Sequence, residues 1–368
     1  MNEFVTVNDV LESAKKYGED SVLTWDPAVY RDNMQNNKNK GKKVNDCTWL
    51  PFKFKNAAGK EMPLKLKFLK IVSSSSAKLP ESKDGDVKNM NILFREVTFE
   101  EVSSSGYEDD SKKLVDELVQ NTNDFAKVIS IINKSFNKIC VDLKSAKSLG
   151  FTIRKNKTIK TNNDIPIWNI LQTTREDKDS ADPDAEPIQL EFPLYRAKLC
   201  IGDGGLIGIK KWNNNAKAME FKQNVYDVRK MNQKNNFTPV LAAIKVNGNV
   251  SSLDKDNAGM FITYRSIVNG FIEFKNLTIS KFGISLDHHF GDIYVKRNKS
   301  QLVEQTLSKE DLAAIGGDDD SEEDDVEINT SAGPSSSKSK IGVNMEIDDL
   351  VDDVSDGSDL EDGCSDSS

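Results

Sequence analysis

Apolar residues and lysines alternate with a period of two along Phe52-Lys53-Phe54-Lys55, and again along Leu64-Lys65-Leu66-Lys67-Phe68. Successive side chains of a strand point to opposite faces, so this period predicts two strands with the apolar side inward and the lysines in water. Asn56-Ala57-Ala58-Gly59-Lys60 lies between them and predicts the turn of a hairpin. A different period follows. Leu114, Leu118, Phe125, Ile129, Ile132, Phe136, Ile139 and Leu143 recur at three- and four-residue steps, with Thr122 filling the one gap. The spacing predicts one long helix over about 111–147, with Asp110 or Ser111 as N-cap and Gly150 where the chain turns away. A short helix is predicted over 9–17, capped by Asn8 and leading to Trp25. Further strands are predicted from Thr48 onward and over 90–102, 188–192, 197–201, 206–212, 240–246, 260–264, 271–279 and 292–295. Asn247-Gly248, between Val246 and Val250, is the two-residue signal of a tight hairpin. Polar stretches at 33–45, 73–88 and 175–187 read as loops. The class predicted is mainly β with one long inserted helix, α+β.

Charge divides the chain more sharply than hydropathy does. Hydrophobic residues make up 37% and charged residues 30%, too lean a mixture for every segment to bury a core. From Lys309 to Ser368 there are 20 acidic residues and 3 lysines, a net charge of −17, which leaves +8 on residues 1–308. A basic body with an acidic tail points to polyanion binding with a tethered competitor. The organisation predicted is an N-terminal helix and basic loop over 1–45, a β-rich core over 46–300, and a disordered acidic tail over 301–368. Within the tail, Met345-Glu346-Ile347-Asp348-Asp349-Leu350-Val351 mixes acidic and apolar residues as short docking peptides do. Ser321 and Ser358 precede acidic residues and are phosphorylation candidates, where a phosphate would add charge.

Several chemistries are excluded on residue types and spacing. No apolar run reaches the roughly 18 residues of a membrane span. Met1-Asn2-Glu3-Phe4-Val5 has neither the basic start nor the apolar core of a secretory signal, so an intracellular protein is expected. Cys47, Cys140, Cys200 and Cys364 lie far apart and make no CxxC pair, which indicates free thiols rather than a disulfide framework or zinc. His288 and His289 are adjacent, and side chains one residue apart point different ways on a helix or strand, unsuited to a shared metal or a catalytic dyad. Gly202-Asp203-Gly204-Gly205-Leu206-Ile207-Gly208 resembles a nucleotide loop, but its last glycine is displaced and no helix follows to face a phosphate. Neither an enzyme nor a cofactor is expected.

Polyanion binding fits the residues that remain. Lys53, Lys55, Lys65 and Lys67 would line one sheet face, with Lys38, Lys40, Lys42 and Lys43 hanging over it. Arg154, Lys155, Lys157 and Lys160 form a second basic cluster, and Lys210 and Lys211 a third. Lysines of this kind neutralise phosphates and release condensed counterions. Trp49, Trp212 and Tyr226 are the aromatic residues best suited to stack on unpaired bases, whereas Phe52 and Phe54 are expected in the core.

A helix between β segments, the Pro193-Leu194-Tyr195 strand entry, Phe282-Gly283-Ile284-Ser285 and the acidic tail together resemble the single-stranded DNA-binding proteins of large nucleocytoplasmic DNA viruses. Those are similar in turn to short-tailed-phage proteins with a barrel of the oligonucleotide-binding class. The resemblance covers roughly residues 45–300. It implies an elaborated oligonucleotide-binding-type barrel that coats single-stranded DNA in replication or repair. The partners it implies are single-stranded DNA, basic replication or repair proteins on the tail, and a further copy of the chain. The place it implies is a host nucleus or a cytoplasmic replication site. Phage-type tails often end in an aromatic residue, whereas this one ends Cys364-Ser365-Asp366-Ser367-Ser368. Two other classes also fit: an acidic chaperone or scaffold for basic proteins, with the tail as its active part, or a virion structural protein.

Overall fold

The computed structural model describes residues 3–26, 47–80, 87–105, 107, 111–145, 161, 164–175, 186–213, 217–228, 240–246, 249–280 and 283–298. In chain order the elements begin β1 (Val5–Thr6), α1 (Val7–Tyr17), β2 (Leu23–Trp25), β3 (Cys47–Lys55), β4 (Glu61–Met62), β5 (Leu64–Val72) and β6 (Asn89–Phe94). Two helices follow, α2 (Phe99–Ser103) and the 34-residue α3 (Lys112–Ser145). Then come β7 (Ile167–Trp168), β8 (Leu171–Arg175), β9 (Ile188–Cys200), β10 (Ile209–Asn213), β11 (Ala218–Lys222), β12 (Val225–Asp227) and β13 (Val240–Leu241). The last are β14 (Ala243–Val246), β15 (Asn249–Ser252), α4 (Ala258–Phe261), β16 (Ile267–Ser280) and β17 (Gly283–Lys296).

The hairpin of β16 and β17, 14 residues on each side, is the spine of the main sheet. One edge of β16 is shared by two strands. β5 pairs from Ile267↔Val72 to Phe274↔Leu64, and β3 continues the same edge from Asn276↔Pro51 to Ser280↔Cys47. Between those stretches the chain leaves the sheet as an arm, in which β3 pairs with β2 and β4. The predicted hairpin is therefore shorter than expected, because β4 is the partner of β3 while β5 pairs with β16. Pro63 stands at the break and has no N–H to give to a ladder. On the far side, β17 takes β7 and β12 in parallel, and β13 follows β12. Among the described residues ten strands join in this sheet, and no pairing closes it into a barrel. The mainly β class with one long helix stands.

A second sheet, β6-β9-β8, and α3 meet the main sheet in one core. Phe125 of α3 lies 5.2 Å from Phe68 of β5, 5.7 Å from Phe94 of β6 and 6.0 Å from Tyr195 of β9, ring centre to ring centre. Phe290 of β17 closes the cluster against Phe68 and Phe94. The predicted helical stripe is buried apart from Leu114, which is partly so. Val115, Val128, Ile131 and Cys140 widen that stripe. Burial pushes the Cys140 thiol up to about 12, which makes it inert.

Small polar residues on α3 tie down strand ends. Thr122 Oγ1 donates to Leu118 O and accepts from the Val72 N–H at 3.0 Å. Ser135 Oγ accepts from the Val22 N–H, and the Asn123 side chain bonds both backbone groups of Val97. Residues 5–23 contribute Val5, Val10, Ala14, Val22 and Leu23 to the same core, so this stretch packs with the β-rich body.

Other boundaries move for local reasons. Thr6, not Asn8, caps α1, because Thr6 and Asp9 form a reciprocal capping box. The strand predicted over 90–102 ends at Phe94, and a second box between Thr98 and Glu101 starts α2. The strands predicted over 188–192 and 197–201 are one strand, β9, with Pro193 inside a register shift between Gln172 and Thr174 of β8. The strand predicted over 240–246 breaks at Ala242, whose N–H goes to Val225 O. The strand predicted over 260–264 is α4 and its exit. The start of the polar loop predicted from Ser73 is buried at Ser73, Ser74 and Ser75, where the Ser73 N–H donates to Ser266 O and the Ser74 N–H to Leu93 O. β14 and β15 pair with Val246 opposite Asn249, the expected two-residue hairpin. Gly202–Gly208 is a turn, with the Gly202 N–H bonded to Leu206 O and positive φ at Gly204 and Gly205, and strand β10 follows it. No helix among the described residues is long and apolar enough to cross a membrane.

Candidate functional site

Alternation gives the main sheet an inner face of Leu64, Leu66, Phe68, Ile272, Phe274, Leu286 and Phe290, all buried. The other face carries Lys65, Lys67, Asn269, Phe271, Glu273, His289, Asp292 and Tyr294. Two irregularities shape it. β5 has an extra residue at Leu69–Lys70, where the register slips between Phe68↔Gly270 and Ile71↔Val268 and Lys70 takes φ 50°. The bulge leaves Leu69 outward and 56% exposed, while Lys70 reaches Glu117 of α3 at 2.8 Å. Gly291 is the second. A Cβ there would run into the Phe271 ring, so only glycine lets that ring lie across β17.

The result is an open groove of about 460 Å³ on the outer face. Phe4 and Phe271 form one wall, edge to face at 5.0 Å, with Leu69 and Lys67 beside them. Tyr294 and Asp292 line the other side, and Asn269 and Gly270 also face the groove. Tyr226 of β12 stacks on Tyr294 at 5.1 Å with 20° between the rings. Burial, with the Asp292 charge adding, raises both phenol pKa values, so both tyrosines stay neutral. An apolar, aromatic recess on the solvent side of a sheet needs an explanation that core packing does not supply.

Charge on this face is mixed. Lys211 of β10 holds Asp292 at 2.8 Å, and Lys65 holds Glu273 at 3.0 Å. Lys67 is exposed and has no ion pair among the described residues. His289 Nε2 lies 3.6 Å from Glu273, yet burial, with Lys275 adding, holds its pKa at about 4. His288 points inward, its ring nitrogens against Leu286 O and Arg196 O, and burial keeps it below its ordinary pKa. The two neighbours do face opposite ways. Both fold neutral, so the unfolded chain, with histidine pKa near 6.5, binds protons that the folded chain refuses. The His289 contribution to stability is whole above pH 6.5 and is lost as pH falls toward about 4, and the His288 contribution falls in the same direction. The expected slope is about 1.4 kcal/mol per pH unit for His289. Urea midpoints at pH 7 and pH 5 check this, with His289→Gln expected to flatten the difference. An unchanged midpoint would contradict neutral burial.

Of the residues singled out from the sequence, Lys65, Lys67, Lys211 and Tyr226 gather at this face. Trp49 is 46% exposed opposite Thr278, seven positions along β16 from Phe271, or about 23 Å at strand rise. Lys53 and Lys55 sit on the arm, alternating with buried Phe52 and Phe54 as expected. Lys53 pairs with Glu61 at 3.6 Å, and Lys55 lies over the Tyr17 ring at 4.4 Å. The lysines of the arm and of the main sheet thus have different surroundings. Lys210 is exposed on the β10–β11 ribbon, and Trp212 stands opposite Met219 in its register. Lys38, Lys40, Lys42, Lys43, Arg154, Lys155, Lys157, Lys160, Ser321 and Ser358 lie outside the described residues, as does the acidic tail.

Sequence reasoning missed Phe4, Leu69, Asn269, Phe271, Asp292 and Tyr294. A glycine inside an apolar strand pattern, Gly291, was the available signal, since it marks a place where another group comes close. Among the described residues no cluster of three or more His, Cys, Asp or Glu is placed to hold a metal ion. Comparison with protein-family models finds no match, and comparison with curated proteins finds no relative.

Proposed function

We propose that this protein binds single-stranded nucleic acid, without catalysis, through the outer face of its main sheet. The observation that carries the reading is the aromatic groove of Phe4, Phe271 and Tyr294 with Lys67 at its edge. Aromatic rings stack on unpaired bases and lysine meets the backbone, a combination that duplex DNA cannot use because its bases are already stacked. The net +8 of residues 1–308 supports the same reading. The relation to the oligonucleotide-binding class, and to viral proteins that coat DNA in replication or repair, belongs to this proposal. An open sheet face serves the purpose, and a closed barrel is not required by it.

The test is a titration of labelled single-stranded and duplex oligonucleotides at equal salt. Single strands should bind more tightly, and Phe271→Ala with Tyr294→Ala should weaken them about 5- to 150-fold, as stacking of 1–3 kcal/mol per base implies. Equal affinity for both forms would sink the reading. The −17 tail favours a second reading, a chaperone for basic proteins. Removing residues 309–368 separates the two. A tethered competitor leaves, and DNA affinity rises most at low salt, whereas a chaperone loses its basic clients and has no DNA binding to enhance.

A further inference from the structure

We propose that the groove recognises an unpaired guanine. This rests on the nucleic-acid reading and gives it a base preference. The groove contains two polar groups of opposite kind among its aromatic walls. Asn269 is 4% exposed, and its Oδ1 accepts the Lys70 N–H at 2.7 Å, which settles which end of the amide is the donor. Its Nδ2 is buried with no hydrogen-bond partner among the described residues. A buried donor left unmatched is costly, and a ligand acceptor arriving in the groove would satisfy it. Asp292 supplies the complementary acceptor. Both of its oxygens face Lys211 Nζ, at 2.8 and 3.0 Å, which orients the carboxylate. Each oxygen has lone-pair capacity left over.

A donor and a carboxylate together discriminate among the bases. Guanine presents an acceptor, O6, beside two adjacent donors, N1–H and the 2-amino group, so it alone can satisfy the amide and both carboxylate oxygens. Adenine and cytosine offer one amino group next to an unprotonated ring nitrogen, which a carboxylate oxygen repels. Thymine offers one N–H between two carbonyls. The size is also suitable, since about 460 Å³ falls within the range of small-molecule pockets. Phe271 and Tyr294 would hold the ring plane, and Lys67 would meet the adjoining phosphate.

The experiment uses the full chain and thymine oligonucleotides carrying one central guanine, hypoxanthine, adenine or cytosine. Guanine should bind at least about 5-fold more tightly than hypoxanthine, which lacks only the 2-amino group; that is the lower end of what a bidentate contact discriminates. Asp292→Asn should abolish the difference between guanine and hypoxanthine. The comparison of guanine with hypoxanthine needs no variant, so it stands even if Asp292→Asn folds poorly. Guanosine monophosphate should compete weakly but better than inosine monophosphate. A monophosphate as tight as the strand would overturn the strand as the ligand. Equal binding of all four strands overturns the guanine assignment and leaves the nucleic-acid reading standing. Binding of none overturns both. A guanine preference that survives Asp292→Asn removes Asp292 from the assignment.

Discussion

Replacing Phe125 with alanine is expected to lower the unfolding free energy by about 3–5 kcal/mol, a large part of what holds a domain folded. Phe125 is fully buried and stands where α3 and both sheets meet, within 5.2–6.0 Å of Phe68, Phe94 and Tyr195. The alanine variant loses the transfer free energy of the ring and leaves a cavity between three elements that cannot all move inward. Phe125→Leu, which keeps most of the volume, should lose less. Urea denaturation followed by circular dichroism measures both. A loss below about 1 kcal/mol in the alanine variant would mean that the helix and the two sheets do not share this junction.

Glu101→Ala should be nearly as damaging. Glu101 lies between two arginines, 2.6 Å from Arg95 and 3.6 Å from Arg265. Arg265 has no exposed surface, takes φ 61°, and has no hydrogen-bond partner for its guanidinium among the described residues. Its backbone carbonyl accepts the Tyr107 hydroxyl at 2.6 Å, and its guanidinium lies over the Tyr264 ring at 4.7 Å. Burial alone would raise the Glu101 carboxyl, but the Arg95 hydrogen bond, the Thr98 N–H and the two positive charges hold it below its ordinary value. Removing the carboxylate strands Arg95 and Arg265 together and also breaks the box that starts α2. The expected cost is about 3–5 kcal/mol, toward the lower end because Glu101 is 30% exposed. Arg265→Met in the Glu101→Ala background should restore part of the loss, since the uncompensated buried charge is then gone. A double variant no more stable than Glu101→Ala alone would contradict this account.

Most of the local structure could be read from the chain. The stripe from Leu118 to Leu143 is the buried face of α3, the strands on either side of the Asn247-Gly248 signal pair with Val246 opposite Asn249, and the lysines of β3 and β5 alternate with buried residues. Capping boxes at Thr6/Asp9 and Thr98/Glu101 also lie in the chain as residue types at the right spacing, at places where Asn8 as cap and an extended strand are the expectations that the structure replaces. What failed were partners. The alternation in β5 says which face is buried, but not that β16, some 200 positions later, supplies the ladder.

The groove is legible in even smaller part. Lys65, Lys67, Lys211 and Tyr226 carried a signal as basic or aromatic residues near basic ones. Phe4, Asn269, Phe271, Asp292 and Tyr294 did not, because each reads alone as an ordinary residue of a strand or its flank. They come together through the parallel pairing of β1 with β5, the pairing of β5 with β16, and the hairpin of β16 with β17.

By itself the sequence determined much of what depends on neighbours a few positions apart: the long helix and most of the strands, the buried faces of α3, β3 and β5, and the opposite signs of body and tail. Those follow from the 3.6- and 2-residue periods and from formal charge, which need no distant partner. The tertiary structure alone decided which strands share the edge of β16, that Phe125 joins two sheets, and that Phe271 lies across Gly291 to open a groove. These depend on registers between segments far apart in the chain. A one-residue slip in such a register would send every outward side chain inward, and the pattern within one strand is the same for whichever partner it meets.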